Sequence, residues 1–447
     1  MKKYAEIMNW IEALIETRAV RGGHKLPSIR ELSQSYSCSK STVIRAYAEL
    51  EKRHLVYTVP QSGYYAVIQH AEPEQTEERP EIDLSSPSPD PELFPYLDFQ
   101  HCLNKAIDMY RNLLFVYGTP QGLPSLLRVM EAHLADYQVF ARPGQITVTS
   151  GVQQALAILA TMSFPSGRRT VLIEQPTYPM IIRLLYAYGI PVQGIARTEN
   201  GIDLNELERI FRTGSIKLFY TIPRFHNPLG TSYDEYTKKA IAELAKRYDV
   251  YIAEDDYLAD LETNSKSDPI HAYGSSHVVY LKSFSKIVFP GLRVGAAVLP
   301  EALQEAFNSI KRLSDIDSSM LSQAALEIYI QSGMFDRRKQ KIVDSYNNRL
   351  HRLNQALDAL NDTNDVRHAS VYTGVQTHLT LPKTFPIDVL LQRLRQKRIV
   401  LQGIDTCFLD TFEKQPIVKL SITRVEEERI WEAVRILFNE IKKLKPT

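Results

Sequence analysis

Apolar residues recur at every third or fourth position from the start of the chain. Tyr4, Ile7, Met8, Ile11, Leu14 and Ile15 line one side of a predicted amphipathic helix that Arg21, Gly22 and Gly23 end. In the run LPSIRELSQSY, Ser28 and Glu31 stand three apart just after Pro27, a capping-box pattern. Ile29, Leu32 and Tyr36 give the short helix behind it a face toward the first. After a tight turn at Ser37 and Cys38, Ser39 opens a third helix whose apolar face is Val43, Ala46, Tyr47 and Leu50. HLVYTV, the turn PQSG and YYAV then read as a β-hairpin.

Further along, the period changes. ITVTSG, TVLIEQP, KLFYTIP, VYIAEDDY and VVYLKS are short β-rich runs, while VQQALAILATMS, YPMIIRLLYAYG and the stretch from Ser232 to Tyr248 are helical. This alternation predicts an α/β fold with a mostly parallel sheet flanked by helices. Before it lies HAEPEQTEERPEIDLSSPSPDPE, rich in Pro, Glu and Ser and poor in large apolar groups, which reads as an exposed linker. The expected organisation is a first domain over 1–69, a linker over 70–90 and a second domain over 91–447. The second divides into a large part, about 115–310, and a smaller C-terminal α+β part, about 311–447.

Composition narrows the class. The 447 residues are 44% hydrophobic and 23% charged, as in soluble globular proteins, and no run suits a membrane span. Glu6, Glu12 and Glu16 interrupt the N-terminal apolar pattern, so no signal peptide is expected and the reading is cytoplasmic. Cys38, Cys102 and Cys407 are too few for a disulfide framework, and neither they nor the histidines have metal-ligand spacing, so no metal is expected. The net charge of +1 hides an asymmetry: through Gln69 there are ten basic residues against six acidic ones, a surplus of four.

That surplus changes the reading of the third helix. Ser39, Lys40, Ser41, Thr42 and Arg45 gather near its N-terminal, solvent side, where a helix-turn-helix protein places base-edge and phosphate contacts. The hairpin then serves as the wing. With LPSIREL and SKSTVIRAYAELE, the order of elements resembles the GntR type of winged helix-turn-helix over about the first 70 residues. The resemblance implies that Arg30, Ser39, Lys40, Ser41 and Thr42 bind a double-stranded DNA operator, with Gln61 and Ser62 at the wing tip. Four surplus charges are few for tight binding, because affinity through phosphates falls steeply with salt, so a dimer that doubles the contacts is expected.

In the second domain, polar residues collect at the ends of the β-rich runs. Ser150 and Gly151 close one strand and open a helix whose first amides, at Val152 and Gln153, suit a phosphate. Asn227 follows in RFHNPLG, Asp255 and Tyr257 end VYIAEDDY, and Lys286 ends VVYLKSFSK. Open α/β sheets bind ligands beyond the carboxyl ends of their strands. A phosphate cradle, a carboxylate, a phenol, an amide and an amine on one rim suit pyridoxal 5′-phosphate. Lysine forms a Schiff base with its aldehyde and a carboxylate keeps its pyridine nitrogen protonated. A lysine pKa near about 10.4 makes a poor nucleophile, so desolvation and a nearby positive charge must depress it; Arg293 in PGLRVG is the candidate.

YGTPQGLPSLL, TSGVQQAL, HNPLG, AEDDY, SFSK and GLRVG, in that order, resemble fold-type I aminotransferases over nearly all of residues 91 to 447. The resemblance implies Lys286 as the Schiff-base lysine and, with Asp255 and Tyr257, the catalytic set. Asp255 pairs with the pyridine nitrogen, with Asp256 its rival because EDDY offers adjacent carboxylates. Asn227 and Tyr257 bind the ring hydroxyl oxygen, and Tyr178 stacks on the ring. Val152, Gln153, Ser283, Ser285 and Arg293 surround the phosphate. Tyr117 reaches into a neighbouring subunit's site, implying a homodimer.

One position departs from that pattern. Such enzymes usually clamp the substrate carboxylate with an arginine in a strand like RLSF, whereas PIVKLSITRV places Lys419 there, a point charge without the guanidinium fork, and Arg424 stands five residues on. Taken whole, the chain resembles the MocR-like (GabR-type) regulators of the GntR superfamily. The implied function is a DNA-binding transcriptional regulator that holds pyridoxal phosphate and senses it, or an amine or amino acid effector. The alternative is an active aminotransferase with an appended DNA-binding module; at most partial or slow transamination is expected.

Overall fold

A computed structural model describes residues 3–17, 19–20, 23–53, 55–59, 62–67, 81–86, 88–263, 267–362 and 365–444. They fall into two compact units, Met1–Arg79 and Pro80–Thr447.

The first unit consists of α1 (Lys3–Glu16), α2 (Ile29–Ser35), α3 (Lys40–Lys52) and an antiparallel hairpin of β1 (Val56–Val59) and β2 (Gly63–Ala66). One core joins them: Ile7 and Ile11 of α1, Leu32 of α2, and Val43, Tyr47 and Leu50 of α3. Ser28 and Glu31 form the expected capping box, with the Ser28 hydroxyl accepting from the Glu31 amide (3.2 Å) and the Glu31 carboxylate from the Ser28 amide (2.7 Å). The helix α1 ends earlier than its glycines suggest. The Val20 amide closes back on the Leu14 carbonyl at 3.1 Å, satisfying a helix-end acceptor in a turn ahead of Gly23; Arg21, Gly22 and Gln61 lie outside the described residues.

The second unit opens with β3 (Ile82–Asp83) and is built on an eight-stranded sheet. Its strands are β4 (Ile146–Thr149), β5 (Thr170–Gln175), β6 (Val192–Thr198), β7 (Gly201–Ile202), β8 (Ile216–Thr221), β9 (Tyr251–Asp255), β10 (Val278–Ser283) and β11 (Gly295–Val298). Their spatial order is β4-β11-β10-β9-β8-β5-β6-β7; β11 runs antiparallel to its neighbours, β7 is antiparallel to β6, and the rest are parallel. Helices cover both faces, so the central strands are buried throughout and read as mostly apolar runs that end on polar residues. Alternate residues serve opposite layers. Tyr251 and Ala253 of β9 pack with the helix Val152–Thr161, while Ile252 packs with the helix Glu235–Tyr248. That second helix begins three residues later than Ser232, because Asp234 caps it by accepting from the Thr237 amide at 2.8 Å.

A smaller sheet follows, β12 (Arg367–His368), β13 (Gln376–Thr380), β15 (Gln402–Gly403) and β16 (Ile417–Ser421), in the order β12-β13-β16-β15 and antiparallel throughout, with β14 (Ile399–Val400) between β13 and β15 in the chain. Residues 82–86, within the stretch that reads as linker, are bonded into this region. β3 pairs in parallel with β14, the Ser421 amide donates to the Leu84 carbonyl (2.7 Å), and the Ser421 and Thr423 hydroxyls both donate to the Ser86 carbonyl (2.7 and 2.8 Å). Composition misleads here because the segment is held by its own backbone, which any small polar residue supplies.

Candidate functional site

The carboxyl ends of β4, β8, β9 and β10 face a cavity of about 250 Å³. At one end the helix Val152–Thr161 presents its first turn, with Val152 and Gln153 on the lining and no side chain capping its amides. Its N-cap, Gly151, has φ of 81°, and a Cβ there would stand 2.9 Å from Nη2 of Arg293. Glycine thus lets Arg293 approach the helix start, where Nη2 donates to the Ser150 carbonyl at 2.6 Å. Ser283 closes β10, and its hydroxyl accepts from the Ser285 amide at 3.3 Å. The strand therefore stops at Ser283, and Lys286 lies three residues beyond, on the turn that this hydroxyl stabilises rather than at the strand's tip.

Tyr178, at the head of the helix Pro179–Ala187, points its hydroxyl to Gln153, which donates Nε2 at 3.0 Å. The Tyr257 hydroxyl donates to the Phe225 carbonyl at 3.0 Å, and Asn227 sits two residues along that loop, half-buried on the lining. Gln376 of β13 donates to the His226 carbonyl (3.0 Å), holding the loop from the other side.

The adjacent carboxylates separate cleanly. Asp256 is consumed by structure: Arg224 brackets it with two nitrogens and the Tyr280 hydroxyl donates to it at 2.8 Å. Asp255 turns to the cavity. Its Oδ2 accepts from the Tyr220 hydroxyl at 2.8 Å, while Oδ1 is buried with no hydrogen-bond partner among the described residues. Burial pushes its carboxyl up to about 7, opposed by the Tyr220 hydrogen bond and reinforced by the Asp256 charge. Burial likewise brings the Lys286 amine down to about 8, and the added charge comes from Lys419. Arg293, the expected source, is instead tied to Ser150 at the far end of the helix start.

These residues fit pyridoxal phosphate. An enclosed carboxylate oxygen without a donor suits a protonated ring nitrogen, an uncapped helix start beside an arginine suits a phosphate, and a lysine of lowered pKa suits an aldehyde. The structure brings together Lys286, Asp255, Asn227, Tyr257, Tyr178, Val152, Gln153, Ser283, Ser285 and Arg293 on one lining. It leaves two others off it. Tyr117 is 80% exposed, and Lys419, buried on β16, acts on Lys286 through its charge from outside the lining. Ser88 lines the cavity and was invisible in the sequence, its SSPSPDPE surroundings being indistinguishable from a solvated linker.

On the first unit, Arg30, Ser39, Lys40 and Ser41 are exposed and Thr42 half-buried. Ser39 caps α3, accepting from the Thr42 amide at 3.4 Å. The Arg45 guanidinium lies over the Tyr4 ring, 4.6 Å from its centre, and Ser62 meets the Tyr65 hydroxyl at 2.6 Å. No helix among the described residues is long and apolar enough to cross a membrane, and none of their acidic, His and Cys side chains cluster as a metal site.

Comparison with known proteins identifies related families for both units. Residues 3–65 match the bacterial regulatory proteins of the gntR family, and residues 94–436 match aminotransferase class I and II. The chain is 51% identical over 445 residues to the uncharacterized HTH-type transcriptional regulator YcxD of Bacillus subtilis (strain 168), covering 99% of this chain and 100% of that one. It is 27% identical over 369 residues to aromatic-amino-acid aminotransferase 1 of Thermococcus litoralis, covering 81% and 88% of the two chains. The crystal structure of Pyrococcus horikoshii kynurenine aminotransferase superposes with a TM-score of 0.76 at 25% identity, over 83% of this chain and 93% of that one. The chain therefore belongs to the class I and II aminotransferase family and carries a gntR-family DNA-binding module at its N-terminus.

Proposed function

We propose that the chain is a DNA-binding transcriptional regulator whose larger unit holds pyridoxal 5′-phosphate at Lys286 and responds to the cofactor itself or to an amine or amino acid. The observation that carries this reading is the unpartnered Oδ1 of Asp255 in the cavity that Lys286 lines, within a chain that also bears a gntR module. When bound, the cofactor supplies an electron-withdrawing ring. The protein's own groups do the rest: Asp255 holds a proton at the ring nitrogen, Tyr257 and Asn227 orient the ring oxygen, and Tyr178 covers the ring face. Val152, Gln153, Ser283, Ser285 and Arg293 hold the phosphate. In the first unit, Arg30, Ser39, Lys40, Ser41 and Thr42 contact the operator, and the protein works in the cytoplasm.

A homodimer completes the reading. Tyr96, Leu97, Ile107, Met109, Leu113, Val116 and Tyr117 are all exposed large apolar side chains within one stretch of sequence, which supports a partner over it. In the dimer Tyr117 reaches the neighbouring site. Regulation is favoured over turnover by Lys419, which is not an arginine and lies off the cavity lining, so no guanidinium fork is offered to a substrate carboxylate there.

The test is an absorbance spectrum of the purified protein with pyridoxal phosphate, followed by operator binding with and without cofactor and amines. A near-visible band that Lys286→Ala abolishes supports the reading, as does a change of operator affinity on loading. Colourless protein in excess cofactor sinks the sensor half, and steady multiple turnover with an amino donor and a keto acid transfers the case to a working aminotransferase.

A further inference from the structure

The helix α3 has one outward residue that neither the fold nor phosphate binding explains. Val43, Ala46, Tyr47 and Leu50 are buried on its inner face. On the opposite face stand Lys40 and Ser41 and then Ile44, three and four residues on and so above them on the same side. Ile44 is 46% exposed. The other large apolar groups exposed among the described residues of this unit have aromatic partners: Trp10 meets Tyr36 edge-on at 6.2 Å and Tyr57 stacks on Tyr65 at 5.6 Å. Ile44 has no polar atom to offer water.

Exposure by itself carries nothing, since single surface aliphatics are ordinary. The place carries the argument. A β-branched residue is a mediocre helix former, so an exposed helix position with no core to fill gains nothing from isoleucine. Helical side chains also lean toward the N-terminus, so Ile44 covers the surface over the turn that holds Lys40 and Ser41. That end of a recognition helix faces base edges in the major groove. Among the groups presented there, one is apolar: the 5-methyl of thymine.

We propose that Ile44 is a specificity-determining residue of the DNA-reading unit, packing on a thymine methyl group while Lys40 and Ser41 hold polar partners beside it. The proposal rests on the DNA-binding reading of the first unit and is independent of the cofactor. Removing one methyl from a desolvated apolar contact is worth about fourfold in affinity, from ~0.8 kcal/mol per buried carbon.

The experiment uses the full-length protein loaded with pyridoxal phosphate. Selection from a randomised duplex library yields a bound sequence, and each thymine in it is then replaced singly by deoxyuridine, which deletes only the 5-methyl. Wild-type protein should lose about fourfold at one or more positions. Ile44→Ala should bind the thymine form at least about fourfold more weakly, be indifferent to deoxyuridine at those positions, and keep the wild-type salt slope, since no phosphate contact is removed. Ile44 is exposed, so its truncation leaves the core intact; matching thermal melts verify this. The proposal is overturned if no deoxyuridine substitution weakens the wild type, or if Ile44→Ala is penalised by deoxyuridine as much as the wild type is. A library that enriches no sequence overturns it together with the DNA-reading assignment, whereas enrichment without methyl dependence overturns the role of Ile44 alone.

Discussion

The amine of Lys286 gives the cavity's electrostatics a quantitative consequence. Burial, then the charge of Lys419, bring it from 10.5 to about 8. Only a neutral amine attacks an aldehyde. At pH 7 a lysine of pKa about 8 is neutral in about one molecule in eleven, against about one in three thousand at 10.5, since each unit is a factor of ten. Mixing apo-protein with pyridoxal phosphate and following near-visible absorbance across the pH range, with N-α-acetyl-lysine as reference for the aldehyde's own titration, should reveal this gain. The protein's rate, relative to the reference, should climb less steeply once pH passes about 8, while the reference amine keeps gaining until its own pKa. Lys419→Met removes a neighbouring positive charge and should move the protein's midpoint upward. The stability of the apo-protein carries the same signature. The unfolded chain holds an extra proton between about 8 and 10.5, so stability rises with pH through that window and is lost as pH falls through about 8, by at most roughly 3 kcal/mol. A protein rate that parallels the reference throughout, or a Lys419→Met midpoint that falls, would refute the account.

Other perturbations separate neighbouring residues. The Asp255 carboxyl has a folded pKa raised to about 7 from 3.8, so its contribution to stability is present at acid pH and lost as pH rises through 7. Asp255→Asn should therefore weaken cofactor binding yet stabilise the apo-protein above pH 7 by up to roughly 4 kcal/mol, read in urea melts; no gain at pH 8 contradicts the burial argument. Asp256→Asn strands the buried Arg224 charge and should cost about 3–5 kcal/mol in urea melts while the cofactor band survives in the folded fraction. Lys40→Met should lower the slope of log affinity against log salt by about one, and an unchanged slope removes Lys40 from the phosphates. Ser28→Ala breaks the capping box and should lower the stability of the first unit by about 1 kcal/mol, read by chemical denaturation.

How much of this was legible beforehand follows from what each residue is doing. Lys286, Asp255 and Asn227 announce themselves because an apolar run that ends on a polar group is the pattern of a buried strand opening onto a site. The inner faces of α1 and α3 are legible for the same reason, since burial writes a period into the sequence. Strand β11 escapes notice because GAAV has one β-branched residue, Val298, behind three small ones. A Cβ on Gly295 would stand 3.0 Å from the Gly151 carbonyl carbon and the Val152 nitrogen, so close approach to the helix start selects small residues over good strand formers. Ser88 and the pairing of β3 were hidden because backbone bonds leave no mark on side-chain pattern. The choice between Asp255 and Asp256 needed the fold, since Arg224 and Tyr280, 32 and 24 residues away in sequence, consume Asp256.

The three acids at the end of β9 alternate. Glu254 receives the Ile270 and His271 amides and Asp256 receives Arg224, whereas Asp255 alone looks the other way. Such a strand forbids any change of length: inserting or deleting one residue would hand the cavity an anion already committed to a salt bridge and bury the available one against the opposite helices. Evolution of this pocket is thereby confined to point substitutions along a frozen reading frame, and ligand preference has to diversify in the loops and in the strap around Ser88.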